Sequence, residues 1–247
     1  MAMRAMIFAA GLGTRLKPIT DTMPKALVPV CGQPLLYHVI TKLVSAGYDD
    51  LVVNVHHFPD QVIHYLHSHD FGARIAVSDE RDFLRETGGG IRYAAPLLAG
   101  ETFLVHNVDI VSNLDLDWLQ EQHREGALAT LVVSERKTQR YFLFDEDNRL
   151  RGWTNIATGE VRSPYPDIDP DRCRKLAFAG IHLMSPAIFD AFDRYGFGER
   201  FSIVDFYLRA CADYPIYAAV PKDFTLVDVG KKETLSEAER VCETILR

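Results

Sequence analysis

The stretch Ala5-Met6-Ile7-Phe8-Ala9-Ala10-Gly11-Leu12-Gly13-Thr14-Arg15-Leu16-Lys17-Pro18 decides how the rest of the chain is read. It opens on an unbroken apolar run, the pattern of a strand buried on both faces. Two glycines follow at once, and glycine lets backbone N–H groups approach a neighbour with no Cβ in the way. A glycine pair after a strand is equally compatible with a plain tight turn. Two cations tip the balance toward a phosphate cradle. Arg15 lies inside the loop, and Lys25 is held between prolines in Pro24-Lys25-Ala26-Leu27-Val28-Pro29-Val30. Backbone N–H groups with cations beside them suit a triphosphate better than a solvated surface.

Outward from that loop, apolar periodicity places a helix from about Pro34 to Ala46, with proline at a favoured first position. A compact β-branched strand follows over Leu51 to Val55, then helical spacing over Pro59 to Ser68, alternation over Arg74 to Ser78 and an apolar run over Thr102 to His106. Strands alternating with helices at these lengths predict an α/β fold: a mostly parallel sheet with helices on both faces, binding ligands beyond the carboxyl ends of its strands. Ala127 to Val133 continues the sheet, and Tyr141 to Trp153 reads as a hairpin turning at Asp145 to Arg149. Thr154 to Arg174 is rich in Gly, Pro, Asp and Arg without periodicity, so a loop or flap over one edge is expected. A strand over Leu176 to Met184 and helices over Pro186 to Arg194, Ile203 to Ala212 and Glu233 to Leu246 complete the reading. No repeat or low-complexity linker interrupts residues 1–247, which predicts one domain with a flap insertion at roughly 137–175.

Of the 247 residues, 47% are hydrophobic and 25% charged, enough apolar content for a sizeable core. A formal net charge of -7 argues against DNA or RNA as the main partner, because a polyanion needs a basic surface. Small anions stay open. No apolar stretch approaches the about 20 residues of a membrane helix, and the N-terminal run is too short for a signal peptide. A cytoplasmic protein without a membrane partner is expected, its oligomeric state left open and a homo-oligomer among the options. Cys31, Cys173, Cys211 and Cys242 form no C-x-x-C pair, which suggests reduced thiols rather than a disulfide framework or a zinc site. His56, His57, His64, His67 and His69 offer no clean ligand set and read as surface. Trp118, Phe189, Phe192 and Tyr207 fall on apolar helix faces and read as core.

Two further constellations carry chemistry. Glu86-Thr87-Gly88-Gly89-Gly90 follows the third strand, and three glycines in a row cost conformational entropy, so something must approach the backbone there. A sharp turn before a helix, capped by Glu86 or Thr87, is the alternative. His106-Asn107-Val108-Asp109-Ile110 puts a carboxylate at the carboxyl end of a strand, where ligands bind. Its nominated partner is Asp228 in Leu226-Val227-Asp228-Val229-Gly230, a charge flanked by apolar strand residues whose unpaired burial would be costly. Either aspartate alone could be a cap. Together they suit Mg²⁺, which takes one or two carboxylates, phosphate oxygens and waters.

The pattern Gly11-x-Gly13-Thr14-Arg15-Leu16-x-Pro18-x-Thr20, followed by Pro24-Lys25-x-Leu27-x-Pro29-Val30, resembles the signature of the sugar-phosphate nucleotidyltransferases. The resemblance spans roughly residues 4–130 and 176–240. It implies their Rossmann-like nucleotide-diphospho-sugar transferase fold, Mg²⁺ as cofactor, and a nucleoside triphosphate and a sugar 1-phosphate as substrates. By that resemblance Ala9, Ala10, Gly11, Gly13 and Thr14 meet the nucleotide. Arg15 and Lys25 neutralise its phosphates, and Glu86, Thr87 and Gly88 belong to the base pocket. Asp109 and Asp228 are the metal pair, and Asn107 and Gly180 face the sugar phosphate. Two departures stand out. Val108 occupies a position usually held by glycine, and Lys137 to Arg174 is long and lacks the Glu-Lys-Pro element that holds the sugar phosphate in many relatives. Arg136, Lys137 or Arg140 is left to supply that charge.

Glu86 to Ile91, Phe178-Ala179-Gly180-Ile181, and Val227-Asp228-Val229-Gly230 with Leu235 to Glu239 resemble the short-chain branch of N-acetylmuramate 1-phosphate uridylyltransferases and their near relatives, which implies UTP with that sugar. GTP with a hexose or heptose 1-phosphate stays open. A glycosyltransferase of similar topology would need no Arg15 to Lys25 loop. An inactive regulatory homologue would be expected to have lost one of Arg15, Lys25, Asp109 and Asp228, and all four are present.

Overall fold

The first apolar run becomes β1 (Met3–Phe8) and stops where the glycine loop begins. The structure, a computed structural model, describes residues 3–230 and 232–245. After the loop a two-stranded hairpin, β2 (Pro29–Val30) and β3 (Gln33–Pro34), leads into α1 (Leu35–Ser45), β4 (Tyr48–Val55), α2 (Pro59–Ser68) and β5 (Arg74–Asp79). Next come α3 (Glu86–Tyr93), α4 (Ala95–Leu98), β6 (Phe103–Asn107), β7 (Ile110–Ser112), α5 (Leu116–Glu121) and β8 (Ala129–Ser134). The extension β9 (Arg140–Phe144), β10 (Leu150–Asn155) and β11 (Glu160–Arg162) precedes the long β12 (Arg174–Met184). α6 (Ile188–Arg194), α7 (Ile203–Ala210), β13 (Ile216–Ala219), β14 (Leu226–Asp228) and α8 (Lys232–Ile245) finish the order.

The central sheet runs β5-β4-β1-β6-β12-β8-β13, parallel throughout except for β12, which is antiparallel to both neighbours. Side chains of the inner strands alternate between two apolar layers. Ala5 and Ile7 enter the layer formed with α1, α2 and α5, whereas Met6 enters the one formed with α4, α6 and α7. Burial on both faces is what the continuous apolar run requires. Chain order reverses at β1, with β4 and β5 on one side and β6 on the other, so the loops leaving the carboxyl ends of β1 and β6 diverge and open a crevice.

Three expectations are corrected. The Thr154 to Arg174 segment is not all loop, because Glu160–Arg162 pairs antiparallel with β10. The extension is tied to α7 by an Arg162–Asp205 ion pair at 2.7 Å and by Tyr165 Oη donating to Cys211 O at 3.0 Å. Glu86 to Gly90 is not a loop before a helix; it is the first part of α3 itself. Among the cysteines, Cys173 and Cys211 are free thiols, but Cys31 is disulfide-bonded, against the reading of reduced thiols throughout. Phe192 and Tyr207 are fully buried as expected of core residues, with Trp118 and Phe189 packed partly buried at its margin. Leu246, the last residue of the expected C-terminal helix, lies outside the described residues. No helix among the described residues is long and apolar enough to cross a membrane.

Candidate active site

Phe8 ends β1 and the chain turns into a cleft of about 390 Å³ lined by Ala9, Ala10, Gly11, Lys25, Asn54, Glu86, Thr87, Asn107, Val108 and Asp109, among others. Gly11 has open space where a Cβ would stand. Gly13 has none: its φ of +63° lies in the left-handed region, and a Cβ would come within 2.7 Å of Thr20 Cγ2. Thr20 Oγ1 donates to Gly13 O at 2.8 Å, and Leu16 N does so at the same distance, closing a single 3₁₀ turn over Thr14–Leu16. That turn leaves Thr14 and Arg15 exposed at the rim while Leu16 anchors it in the core.

Lys25, one of the few buried charged residues, forms an ion pair with Asp109 Oδ2. A buried ammonium needs such a partner. Asp109 follows β6, and its carbonyl accepts Val229 N–H at 2.8 Å. This bond extends the β7–β14 pairing, in which Asp228 stands opposite Ile110, so the two aspartates are neighbours across strands from distant parts of the chain. Asp228 Oδ1 is buried and has no hydrogen-bond partner. Arg15 Nη2 and Asp228 Oδ1 both crowd Gly230, whose missing Cβ would lie 2.5 and 2.6 Å from them. Arg15, Lys25, Asp109 and Asp228 are therefore assembled at the carboxyl edge of the sheet. An orphaned carboxylate oxygen beside a second carboxylate matches what a hard divalent cation takes from a protein when phosphate oxygens and waters complete its shell. Among the described residues no cluster of three or more His, Cys, Asp or Glu competes with this pair as a metal site.

The opposite wall is the start of α3. Glu86 sits at φ +62°, a conformation costing about 1 kcal/mol or more for a residue with a side chain, and it pairs with Arg200 Nε at 3.0 Å. Thr87 Oγ1 accepts Ile203 N–H at 2.9 Å, and the N–H groups of Gly88 and Gly89 both donate to Phe201 O, at 2.9 and 3.2 Å. Two of the free donors of this helix start, those of Gly88 and Gly89, are thus taken up by protein. The glycine run has a packing cause. A Cβ would lie 2.2 Å from Phe201 Cε2 at Gly88, 2.2 Å from Glu199 O at Gly89 and 2.9 Å from Glu80 Oε1 at Gly90. Glu86 and Thr87 line the cleft, whereas Gly88 lies behind them.

On the other side Asn107 packs over Gly180, a left-handed residue (φ +75°) where the register of β12 against β8 shifts. Any Cβ at Gly180 would meet Asn107 Nδ2 at 2.5 Å. Val108 points into the apolar layer and lines the cleft beside Asp109. Arg140 is exposed at the start of β9 and does not line the cleft. Arg136 does not line it either; its Nη2 donates to Phe178 O at 2.8 Å, two residues from Gly180.

Sequence reasoning missed Asn54 and Glu80. Asn54 Oδ1 accepts the N–H groups of Ala9 at 2.8 Å and Ala10 at 3.3 Å, and its Nδ2 donates to Glu80 Oε1 at 2.7 Å. Glu80 is completely buried, and burial raises its carboxyl above the ordinary range against the opposing bonds from Asn54 and Arg85 N. The only sequence signal was a polar residue, Asn54, interrupting the apolar run Leu51 to Val55 of β4.

Beneath Asp109, two buried histidines bridge adjacent strands. Burial lowers His106 to about 4 and His182, hydrogen-bonded to Tyr207 Oη at 2.7 Å, to about 3. Lys42 also depresses His106, whereas Asn107 O and Asp109 favour its charged form. Both rings are neutral when folded, while the unfolded chain takes up protons near pH 6.5. Stability is therefore full above pH 6.5 and falls as pH drops toward 4, by about 1.4 kcal/mol per pH unit for each histidine. Glu80 works in the opposite sense as its carboxyl is protonated. Urea unfolding at pH 7, 6 and 5 checks this, and a flat profile would refute it.

Comparisons with known proteins follow the same lines. Residues 4–156 match the family described as nucleotidyl transferase. The chain is 32% identical over 245 residues to the N-acetylmuramate alpha-1-phosphate uridylyltransferase of Caulobacter vibrioides, with 95% of each chain covered. It is 34% identical over 138 residues to a mannose-1-phosphate guanyltransferase of Emericella nidulans, covering 54% of this chain and 38% of that one. The crystal structure of HddC from Yersinia pseudotuberculosis superposes with a TM-score of 0.78 at 21% identity, over 96% of this chain and 98% of the other, a likeness of fold.

Proposed function

The chain belongs to the nucleotidyl transferase family and is a sugar 1-phosphate nucleotidyltransferase, and from that premise we propose that it transfers UMP from UTP to N-acetylmuramate 1-phosphate, releasing pyrophosphate. The observation that supports the reaction at this site is the meeting of Lys25, Asp109 and the orphaned Asp228 Oδ1 opposite the Gly11 to Arg15 loop. The nucleotide and sugar rest on likeness to a uridylyltransferase along nearly the full length of both chains.

In this reading the triphosphate lies along the glycine loop with Arg15 at its rim, and the base reaches toward Glu86 and Thr87. Ala9 and Ala10 offer it their carbonyl and Cβ surfaces, since their N–H groups are engaged by Asn54. The sugar phosphate lies by Asn107 and Gly180, with Arg136, bonded two residues from Gly180, as its candidate cation. One of its oxygens attacks the α-phosphorus in line, and pyrophosphate departs toward Arg15 and Lys25. An ionised phosphate needs no general base, so the side chains act by positioning and charge. Asp109 and Asp228 would hold Mg²⁺, which when bound neutralises charge developing on the phosphate oxygens. Lys25, paired with Asp109, would keep that carboxylate aimed at the cleft.

A guanylyl transfer reading is favoured by the partial likeness to mannose-1-phosphate guanyltransferase. Pyrophosphate release with Mg²⁺ separates the two when UTP, GTP, ATP, CTP and dTTP are crossed with a panel of sugar 1-phosphates. Signal confined to UTP with N-acetylmuramate 1-phosphate is expected. Signal confined to GTP with a hexose or heptose 1-phosphate would replace the proposal.

A further inference from the structure

Asn54 and Glu80 sit at the carboxyl ends of the adjacent strands β4 and β5, one strand away from the glycine loop, and are 2% and 0% exposed. Their hydrogen bonds run in one direction. Glu80 Oε1 accepts Asn54 Nδ2 at 2.7 Å and Glu80 Oε2 accepts Arg85 N at 3.3 Å, so both carboxylate oxygens face donors. With its Nδ2 committed to Glu80, Asn54 must present Oδ1 to the N–H groups of Ala9 and Ala10. An isolated asparagine can flip its amide; this one cannot without setting donor against donor. Gly90 packs against the pair, and a Cβ there would lie 2.9 Å from Glu80 Oε1 and 3.2 Å from Asn54 Nδ2.

We propose that Asn54 and Glu80 are a buried positioning pair for the nucleotide: Glu80 fixes the amide orientation of Asn54, and Asn54 fixes the direction in which the chain leaves β1 into the Gly11 to Arg15 loop. The same carboxylate accepts Arg85 N, directly before the strained Glu86, so one buried group sets both walls of the cleft. The inference rests on the reading of that loop as the triphosphate site. Glu80 does not line the cleft and Asn54, which does, is only 2% exposed, so each acts through the loop. Buried donors and acceptors without partners are costly, which gives the pair its leverage.

The test is a polarity exchange. Glu80→Gln leaves one donor facing another, either at Arg85 N or, after an Asn54 flip, at Ala9 and Ala10. Asn54→Asp sets two carboxylates against each other. In the double variant the carboxylate introduced at position 54 accepts from Ala9, Ala10 and the new side-chain amide at position 80, whose carbonyl oxygen accepts Arg85 N. Every bond is thereby restored with the same net charge. Amide hydrogen exchange at Ala9 and Ala10, which needs no ligand, is expected to be slow in the wild type, fast in each single variant and slow again in the double. Titration with UTP and with GTP in Mg²⁺ is expected to show each single weakened at least about tenfold for the nucleotide that the wild type binds, and the double tighter than either single. KM for the sugar phosphate stays within about twofold, since the loop is the part displaced. Losses that add in the double, a double that fails to fold, or singles that lose thermal stability with nucleotide affinity intact would each overturn the pair's positioning role. An error in the assigned base or sugar would change which substrates work and leave the exchange pattern untouched.

Discussion

Asp109→Asn is expected to lower kcat/KM by about a thousandfold or more, equivalent to about 4 kcal/mol of transition-state stabilisation, with the fold retained. The fold is expected to survive at lower stability, because buried Lys25 loses its ion-pair partner while the backbone stays held: the Asp109 carbonyl accepts Val229 N–H and the preceding β6 is paired on both sides. The activity falls in the proposed mechanism because the carboxylate charge is what would hold Mg²⁺ against the phosphates. Asp228→Asn is expected to fall comparably, by a different route. Its Oδ1 is buried without a partner, so an amide there removes a buried charge while it removes the proposed metal ligand. Mg²⁺ with UTP is expected to raise the melting temperature of the wild type and of neither variant. Asp117→Asn, exposed on α5, serves as control and keeps full turnover. An Asp109→Asn enzyme with more than a tenth of wild-type turnover would remove this residue from the reaction.

Gly89→Ala is expected to destabilise the protein by about 2–3 kcal/mol, lowering the melting temperature by about 5–10 °C. On helix propensity alone, alanine would stabilise α3 by about 1 kcal/mol. The added Cβ, however, would stand 2.2 Å from Glu199 O and 3.1 Å from Arg85 Cβ, and a backbone carbonyl cannot swing aside as a side-chain tip can. The segment from Glu199 to Phe201 would have to move, and with it the Phe201 carbonyl that holds the N–H groups of Gly88 and Gly89. Gly198→Ala, where a Cβ meets open space, is the matched control and is expected to be near neutral. Thermal and urea unfolding decide between them; a Gly89→Ala protein as stable as the wild type would show that this contact yields freely.

The glycines of α3 show how an inference from sequence can leave its cause open. Three in a row did mean that something approaches the backbone, and Phe201, Glu199 and Glu80 do so. Composition cannot separate a ligand from a neighbouring segment more than a hundred residues away, because either one excludes a Cβ. Glu80 was illegible for a related reason. It lies in Ser78-Asp79-Glu80-Arg81-Asp82, a polar run that reads as a solvated loop, and only the packing of α3 across the ends of β4 and β5 buries it.

By itself the sequence determined the alternation of strands and helices, the place of the glycine loop after β1, and the cations and carboxylates of the site, since these depend on local periodicity and on residue type at fixed spacing. Tertiary structure alone decided that β12 runs against its neighbours, that β7 pairs with β14, that Lys25 meets Asp109, and that Asn54 bonds both Glu80 and the chain leaving β1. Each of these joins residues at least 26 positions apart. Their pairing is fixed by which buried polar groups must find partners once the apolar layers close, a condition that no short window of sequence contains.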